Sequence, residues 1–399
     1  MKILVINCGS SSLKYQLFNM ESNQVLAKGM CDRIGIEGGL FKHKGNGDEI
    51  KKSVQMANHA EAIKLVLDAL LDKEYGVLKS ASEITAVGHR VLHGGEKFSG
   101  SVLIDDSVIA AIEECCELGP LHNPHNLTGI KACEEILGSD IPQVAVFDTG
   151  FHQTMPDYVY MYALPYEYYE KYRIRRYGFH GTSHRYVSGR AAVVLGKKPE
   201  DLKIVTCHLG NGSSISAVMG GKCFDTTMGL TPLEGIMMGT RCGSIDPAII
   251  PLLMEKEGLS PKEIDTVMNK KSGILGVYEK SSDNRDIEQA AKDGDERAQL
   301  VESMLCHQLV KYIGGFAAAM GGIDAVVFTG GIGENNPHYR KRIADKLKFM
   351  GAGIDDEKNK LRGVELDISS PEATLRTLVI PTNEELTIAL DTKEIVSAL

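Results

Sequence analysis

Two stretches of the 399-residue chain share one rhythm of apolar and polar positions. Lys2 to Phe18 opens with a β-branched apolar run, passes through Asn7-Cys8-Gly9-Ser10-Ser11-Ser12, and resumes as alternation through Leu13, Tyr15 and Leu17. Residues 204–218 repeat the design: Ile204-Val205-Thr206-Cys207, then His208-Leu209-Gly210-Asn211-Gly212-Ser213-Ser214, then Ile215-Ser216-Ala217-Val218. Each pattern predicts strand, tight turn, strand. With Asn7 set against His208, Gly9 meets Gly210 and Ser12 meets Ser213. Glycine removes the Cβ that would hold a ligand off the backbone, so the turn N–H groups can point at an anion. The expectation is a duplicated domain whose two turns face each other across a cleft and grip one nucleotide.

The rest of the pattern alternates strand and helix. A further strand is predicted over 24–34, then glycine-rich loops or short strands over 35–48. Ile63, Val66, Leu67, Leu70 and Leu71 fall at helical spacing within 58–71. A strand over 84–88 runs into Arg90, and helices are expected over 107–118 and from Asn123-Pro124 to about Leu137. A short apolar strand, 143–147, ends at Asp148. The tyrosine- and arginine-rich segment 158–177 marks a domain junction. His180-Gly181-Thr182-Ser183 opens a helix to about Leu195, and helices follow over 247–257 and 261–269. A long helical stretch, 295–320, is interrupted at Gly314-Gly315 and leads into a strand over 325–329. The tail, 383–398, is a helix expected to pack back on the first domain. The class is α/β with mixed sheets, divided into 1–150, completed by 383–399, and 151–382.

Composition narrows the function. The chain is long enough for two cores, and its net charge of −9 carries no basic run, which excludes nucleic acid and membrane as partners. Nine cysteines without a C-x-x-C read as reduced thiols of a cytoplasmic protein. No signal peptide and no apolar run near the ~20 residues of a membrane span is expected.

Three groups of residues carry candidate chemistry. Phe328-Thr329 leads into Gly330-Gly331-Ile332-Gly333-Glu334-Asn335, where glycines let backbone lie flat against a purine and ribose before Asn335-Asn336-Pro337 starts a helix. No G-x-x-x-x-G-K-[ST] occurs, so a P-loop is excluded. Arg90 in GHRVLHGG, His180 in YGFHGTSH and Arg241 in GTRCGSIDP are cationic groups beside glycines, suited to charge on a phosphoryl group in flight. His89 and His93 flank a strand end rather than share a helix face, so they are not read as a zinc pair. Asp148 after a strand and Glu384 opening the last helix are carboxylates placed to hold Mg²⁺ on nucleotide phosphates; Glu384 also suits its helix dipole. Asn7 and Lys14 complete the first turn. Asp283-Asn284-Arg285 either reaches the base or ribose or caps a helix.

In order, VINCGSSSLK, HRVLHGG, FDTGFH, RYGFHGTSH, HLGNGSSI, GTRCGSIDP, TGGIGEN and TNEEL resemble the motifs of the acetate kinase family, over essentially the whole chain. The resemblance implies the duplicated, ribonuclease H-like fold of actin, Hsp70-type ATPases and sugar kinases, with a cleft between its domains, and a homodimer. It implies phosphoryl transfer between ATP and acetate, giving ADP and acetyl phosphate, with Mg²⁺ or alternatively Mn²⁺. By position, Asn7 and Glu384 match magnesium residues and Lys14 a nucleotide contact. Arg90 matches the substrate-carboxylate arginine, Asp148 the acid/base position, and His180 and Arg241 the transition-state stabilisers. His208, Leu209, Gly210, Asn211 and Gly212 match one nucleotide segment, Asp283, Asn284 and Arg285 a second, and Gly331, Ile332, Gly333, Glu334 and Asn335 a third. Leu92, Leu121, Phe179 and Pro232 match a small methyl pocket, with Leu92 where valine is common. Propionate or butyrate as acceptor, and a non-enzymatic nucleotide clamp, are the alternatives.

Overall fold

Strand β1 (Lys2–Cys8) is apolar on both faces because both are covered. The computed structural model describes residues 1–120 and 122–399, which divide into two units, Met1–Gln153 with Asn383–Leu399, and Thr154–Thr382.

The first unit holds β1, β2 (Ser12–Asn19), β3 (Gln24–Asp32), β4 (Leu40–Lys44), β5 (Ile50–Ser53), β6 (Ala86–Val91), β7 (Val102–Leu103) and β8 (Gln143–Phe147), in the order β5-β4-β3-β2-β1-β6-β8-β7. β1 runs antiparallel to β2 and parallel to β6, and β6 runs parallel to β8. Leu4 and Ile6 face one core, shared with Ile63, Val66 and Leu70 of the helix His59–Leu70. Ile3 and Val5 face another, closed by Ile388 and Ala389 of the C-terminal helix Glu384–Val396. That helix lies so close to β6 that a Cβ on Gly88 would stand 2.5 Å from Thr392 Oγ1. The tail thus packs back on the first unit.

The second unit repeats the scheme with β9 (Lys203–Leu209), β10 (Ser213–Met219), β11 (Lys222–Thr226), β12 (Ala325–Thr329), β13 (Leu366–Asp367) and β14 (Arg376–Val379), ordered β11-β10-β9-β12-β14-β13. β9 is antiparallel to β10 and parallel to β12, which is parallel to β14. The run β3-β2-β1-β6-β8 and the run β11-β10-β9-β12-β14 are therefore one topology used twice. The residue match read from the turns is kept: Asn7 and His208 are each next to last in β1 and β9, and Ser12 and Ser213 each open the returning strand.

Some expectations are corrected. The helix Glu296–Ala319 is unbroken through Gly314 and Gly315. Two glycines cost roughly 1 kcal/mol each relative to alanine, but buried Val301, Leu305, Leu309, Ile313 and Phe316 hold the helix to its core on either side. The strand read over 84–88 is Ala86–Val91, which puts Arg90 inside the strand. The helix read over 107–118 is Asp106–Glu114. Asn123 lies inside its helix, which starts one residue after His122.

Candidate active site

In open sheets with parallel strands, ligands gather at the carboxyl ends of those strands. In the first unit Ile6 of β1 sits beside His89 of β6, so Asn7 and Arg90, one residue on in each, lie at the same end. Asp148 follows β8 directly, and its N–H donates to the Val91 carbonyl at 2.9 Å. The Arg90 fork then closes on Asp148, Nε donating to Oδ1 at 2.9 Å and Nη2 to Oδ2 at 2.7 Å. Asp148 is 1% exposed and Arg90 25%, so the carboxylate is sealed while the guanidinium keeps an open edge. A cavity of about 210 Å³ beside them is lined by Asn7, Lys14, Arg90, Leu92, His122 and Asn126, among others. Asn126 was not singled out in the sequence. Its amide accepts from Leu92 N at 3.0 Å and donates to the Cys8 carbonyl at 2.9 Å, tying the ends of β1 and β6 together. Nothing in a helix pattern distinguishes such an asparagine.

Glu384 opens the C-terminal helix, behind the Asn383 cap that accepts from Leu386 N. Burial pushes its carboxyl up to about 7, Arg90 and Lys14 pulling it down and Asp148 and Glu385 pushing it further up. An acid whose folded pKa exceeds its unfolded value destabilises the fold as pH rises through that folded value. Glu384→Gln is therefore expected to raise Tm by about 2–6 °C at pH 8, with the gain fading toward pH 5, where the native carboxyl is already protonated. Thermal unfolding at the two pH values checks this; an equal gain at both would refute it. Among the described residues no set of three or more His, Cys, Asp or Glu gathers around one point. The oxygen donors Asn7 and Glu384 nonetheless fit Mg²⁺, which takes one or two protein oxygens and completes its shell with water and substrate phosphate.

In the second unit His180 precedes the helix Gly181–Leu195 in the left-handed conformation, φ 58° and ψ 26°. A non-glycine residue there stores about 1–3 kcal/mol of strain, a cost met mainly at functional sites. Its ring stacks on His208 at 4.3 Å and 23°, and its Nδ1 is 2.9 Å from Ser214 Oγ. The Arg241 loop docks on the β9–β10 turn: Gly239 N donates to the Asn211 carbonyl at 3.1 Å. Arg241 Nη1 donates to the Pro232 carbonyl at 2.7 Å and lies 3.4 Å from Met238 Sδ. No carboxylate among the described residues pairs with Arg241, and burial draws its pKa below the ordinary guanidinium value. A Cβ on Gly212 would stand 3.4 Å from both Arg241 Nη2 and His180 Nε2. A guanidinium and an imidazole edge thus converge on one point at the turn.

Beside the turn is a cavity of about 670 Å³ lined by Gly210, Asn211, Ile274, Asp283, Asn284, Arg285, Gly331, Ile332, Asn335 and neighbours, a size that suits a nucleotide. Asn284 Oδ1 is buried there without a partner, an acceptor left for a ligand donor. Asp283 caps its helix by accepting from Arg285 N at 2.9 Å and also pairs with the Arg285 side chain, which holds its carboxyl down at about 2. Capping and cavity lining, read as alternatives in the sequence, coexist. The sequence reading missed Ile274, Glu288 and Arg362 on this wall.

Several candidates stand behind the cavity instead of on it. Leu209 is buried, and Gly333 packs on the backbone of Phe328. Glu334 Oε1 accepts from Gly330 N at 2.8 Å and Thr382 N at 3.1 Å, holding the glycine loop to the end of the sheet. Phe179 is buried, Pro232 is half-buried beside Arg241, Leu92 belongs to the first unit's cavity, and Leu121 lies outside the described residues. Gly330 has φ 75°, and a Cβ there would stand 2.7 Å from the Leu209 carbonyl oxygen. Gly330→Ala is expected to cost about 2–4 kcal/mol, read as a lower denaturant midpoint at unchanged slope.

A family model described as the acetokinase family matches residues 2–390. The chain is 60% identical over 400 residues to an acetate kinase of Thermoanaerobacterium thermosaccharolyticum, covering 100% of both. It is 60% identical over 396 residues to an acetate kinase of Methanosarcina mazei, covering 99% of this chain and 97% of that one. The crystal structure of Porphyromonas gingivalis acetate kinase superposes with a TM-score of 0.95 at 50% identity, over 99% of each chain. A propionate kinase from Francisella tularensis superposes with a TM-score of 0.92 at 43% identity, also over 99% of each.

Proposed function

The chain belongs to the acetokinase family, and we propose that it transfers the γ-phosphoryl group of ATP to acetate, reversibly, giving acetyl phosphate and ADP. The observation that carries this reading is Arg241: a half-buried guanidinium with no carboxylate partner among the described residues, beside an imidazole, at the turn whose Gly210 and Asn211 line a nucleotide-sized cavity. Burying an unpaired cation is costly unless an anion arrives to meet it. A nucleotide clamp without chemistry has no use for that expense.

An acetate oxygen attacks the γ-phosphorus in line as the bond to the β,γ-bridging oxygen breaks, and ADP departs with that electron pair. Acetate, with a pKa of roughly 4–5, is already ionised near neutral pH, so no base need remove a proton. The residues position and neutralise. Arg90, oriented by Asp148, takes the acetate carboxylate, with Leu92 on the same cavity; by family position Leu92, Leu121, Phe179 and Pro232 are the methyl-group residues. His180 and Arg241 face the phosphoryl group. Gly210, Asn211, Asp283–Arg285, Gly331, Ile332 and Asn335 hold the nucleotide, Gly333 and Glu334 support that loop from behind, and Lys14 and the His208 turn complete the set. Asn7 and Glu384 are the residues to hold Mg²⁺, which when bound neutralises phosphate charge. The wider reading is a cytoplasmic homodimer; no described helix is long and apolar enough to cross a membrane. The exposed Tyr158, Leu164, Tyr166 and Tyr172 support a second copy as partner, and sedimentation at micromolar concentration tests it.

Incubation with ATP, Mg²⁺, acetate and hydroxylamine is expected to yield acetyl hydroxamate; none would end the enzyme reading. Propionate is expected to react with kcat/KM about 10-fold or more below acetate, since one methylene is worth roughly 1–3 kcal/mol in a pocket. Equal or higher values for propionate would move the chain to the neighbouring specificity.

A further inference from the structure

The face of the second sheet that meets the helix Gly181–Leu195 is polar where a core would be apolar. Thr206, Ser214, Ser216 and Thr226 are each at most 1% exposed, and so is His184 on the helix. Burying hydroxyls and an imidazole is costly unless every one is bonded, and a fully bonded network specifies a single arrangement. Here the bonds form a chain. Thr206 Oγ1 is 2.7 Å from His184 Nδ1, His184 Nε2 is 2.7 Å from Ser214 Oγ, and Ser214 Oγ is 2.9 Å from His180 Nδ1.

We propose that Ser214 and His184 are positioning residues that hold the orientation of the His180 ring and couple its tautomer to that of His184. Ser214 has one proton and stands between two ring nitrogens, so donating to one means accepting from the other. Thr206 Oγ1 meets His184 Nδ1 at 2.7 Å and donates to the Ser216 carbonyl at 3.4 Å. The proton positions of His184, Ser214 and His180 are therefore set together, and the His180 ring is held with Nε2 facing the Gly212 turn beside Arg241.

The inference rests on the reading of His180 as a phosphoryl donor contact, and one set of variants separates the two. Ser214→Ala is expected to lower kcat by about 10- to 100-fold while KM for ATP changes by less than about threefold, the signature of a misplaced group. In a His180→Ala background the same substitution should change kcat by less than about twofold, because a residue acting through His180 has nothing left to act on. Ser214→Cys, similar in size and a weaker hydrogen-bonder, gives the same comparison should Ser214→Ala not fold. ¹⁵N spectra of the histidine rings at about pH 8, with His180 assigned by its loss in His180→Ala, should show a single tautomer in the wild type and mixed tautomers in Ser214→Ala. Additive losses, wild-type turnover in Ser214→Ala, or mixed His180 tautomers in the wild type would overturn the proposal. Wild-type turnover in His180→Ala would instead overturn the reading beneath it.

Discussion

Arg241→Ala is expected to lower kcat by about 10²–10³-fold, with KM for ATP nearly unchanged. The guanidinium is half-buried, pairs with no carboxylate among the described residues and is held by a carbonyl and a thioether, neither of which neutralises it. Its Nη2 group lies beside the Gly212 turn, the phosphate end expected for the nucleotide. An interaction made chiefly with charge developing in transfer depresses kcat and kcat/KM together. Removing an unpaired, half-buried charge also relieves the resting protein, so Tm should hold or rise. His180→Ala should lose a comparable factor, since its ring edge meets the same point. Steady-state kinetics with ATP varied at saturating acetate, together with thermal unfolding, decide the matter. Wild-type turnover in either variant would remove that residue from the reaction, and a fall in Tm matching the loss of activity would make the effect one of folding.

Asp148→Asn is expected to raise KM for acetate by about 10- to 100-fold, the worth of one charge-assisted contact of roughly 1.5–3 kcal/mol. Asp148 is sealed behind Arg90 and spends both carboxylate oxygens on its fork. Asparagine keeps the shape but can accept only one of those two donors. The guanidinium is then free to swing toward Glu384, whose charge already acts on it. The prediction follows from the chemistry as well as the geometry: an acceptor that arrives ionised asks for an oriented cation and has no proton to give up. A large fall in kcat with acetate and Mg²⁺ binding intact, recovered by Asp148→Glu, would show proton transfer at this position after all.

How far the site could be read beforehand depended on the kind of signal each residue carries. Arg90, His180 and Arg241 sit beside glycines in loop-like runs, and a cation among glycines is visible in one dimension. Gly210, Asn211 and Gly331 are visible for the same reason, because backbone that approaches a ligand must shed its Cβ. Asn126, Ser214 and His184 are not, since each is a polar residue inside a regular helix or strand pattern and acts across elements distant in sequence. Glu334 and Gly333 were read as ligand contacts because they share a motif with Gly331. The Glu334 carboxylate holds the glycine loop and Gly333 packs on the Phe328 backbone, contacts that a shared motif does not show.

The alternation of apolar and polar residues by itself determined that two strand–turn–strand units open the two halves, and the residue pattern of the tail that it ends in a helix. That much follows from periodicity, because one face of each element must leave water. Only the tertiary structure decided that Arg90 is clamped by Asp148, that Arg241 has no counterion among the described residues, and that a serine is shared between two histidines. Pairings of this kind depend on which side chains burial brings within about 3 Å of each other. No local pattern encodes that distance.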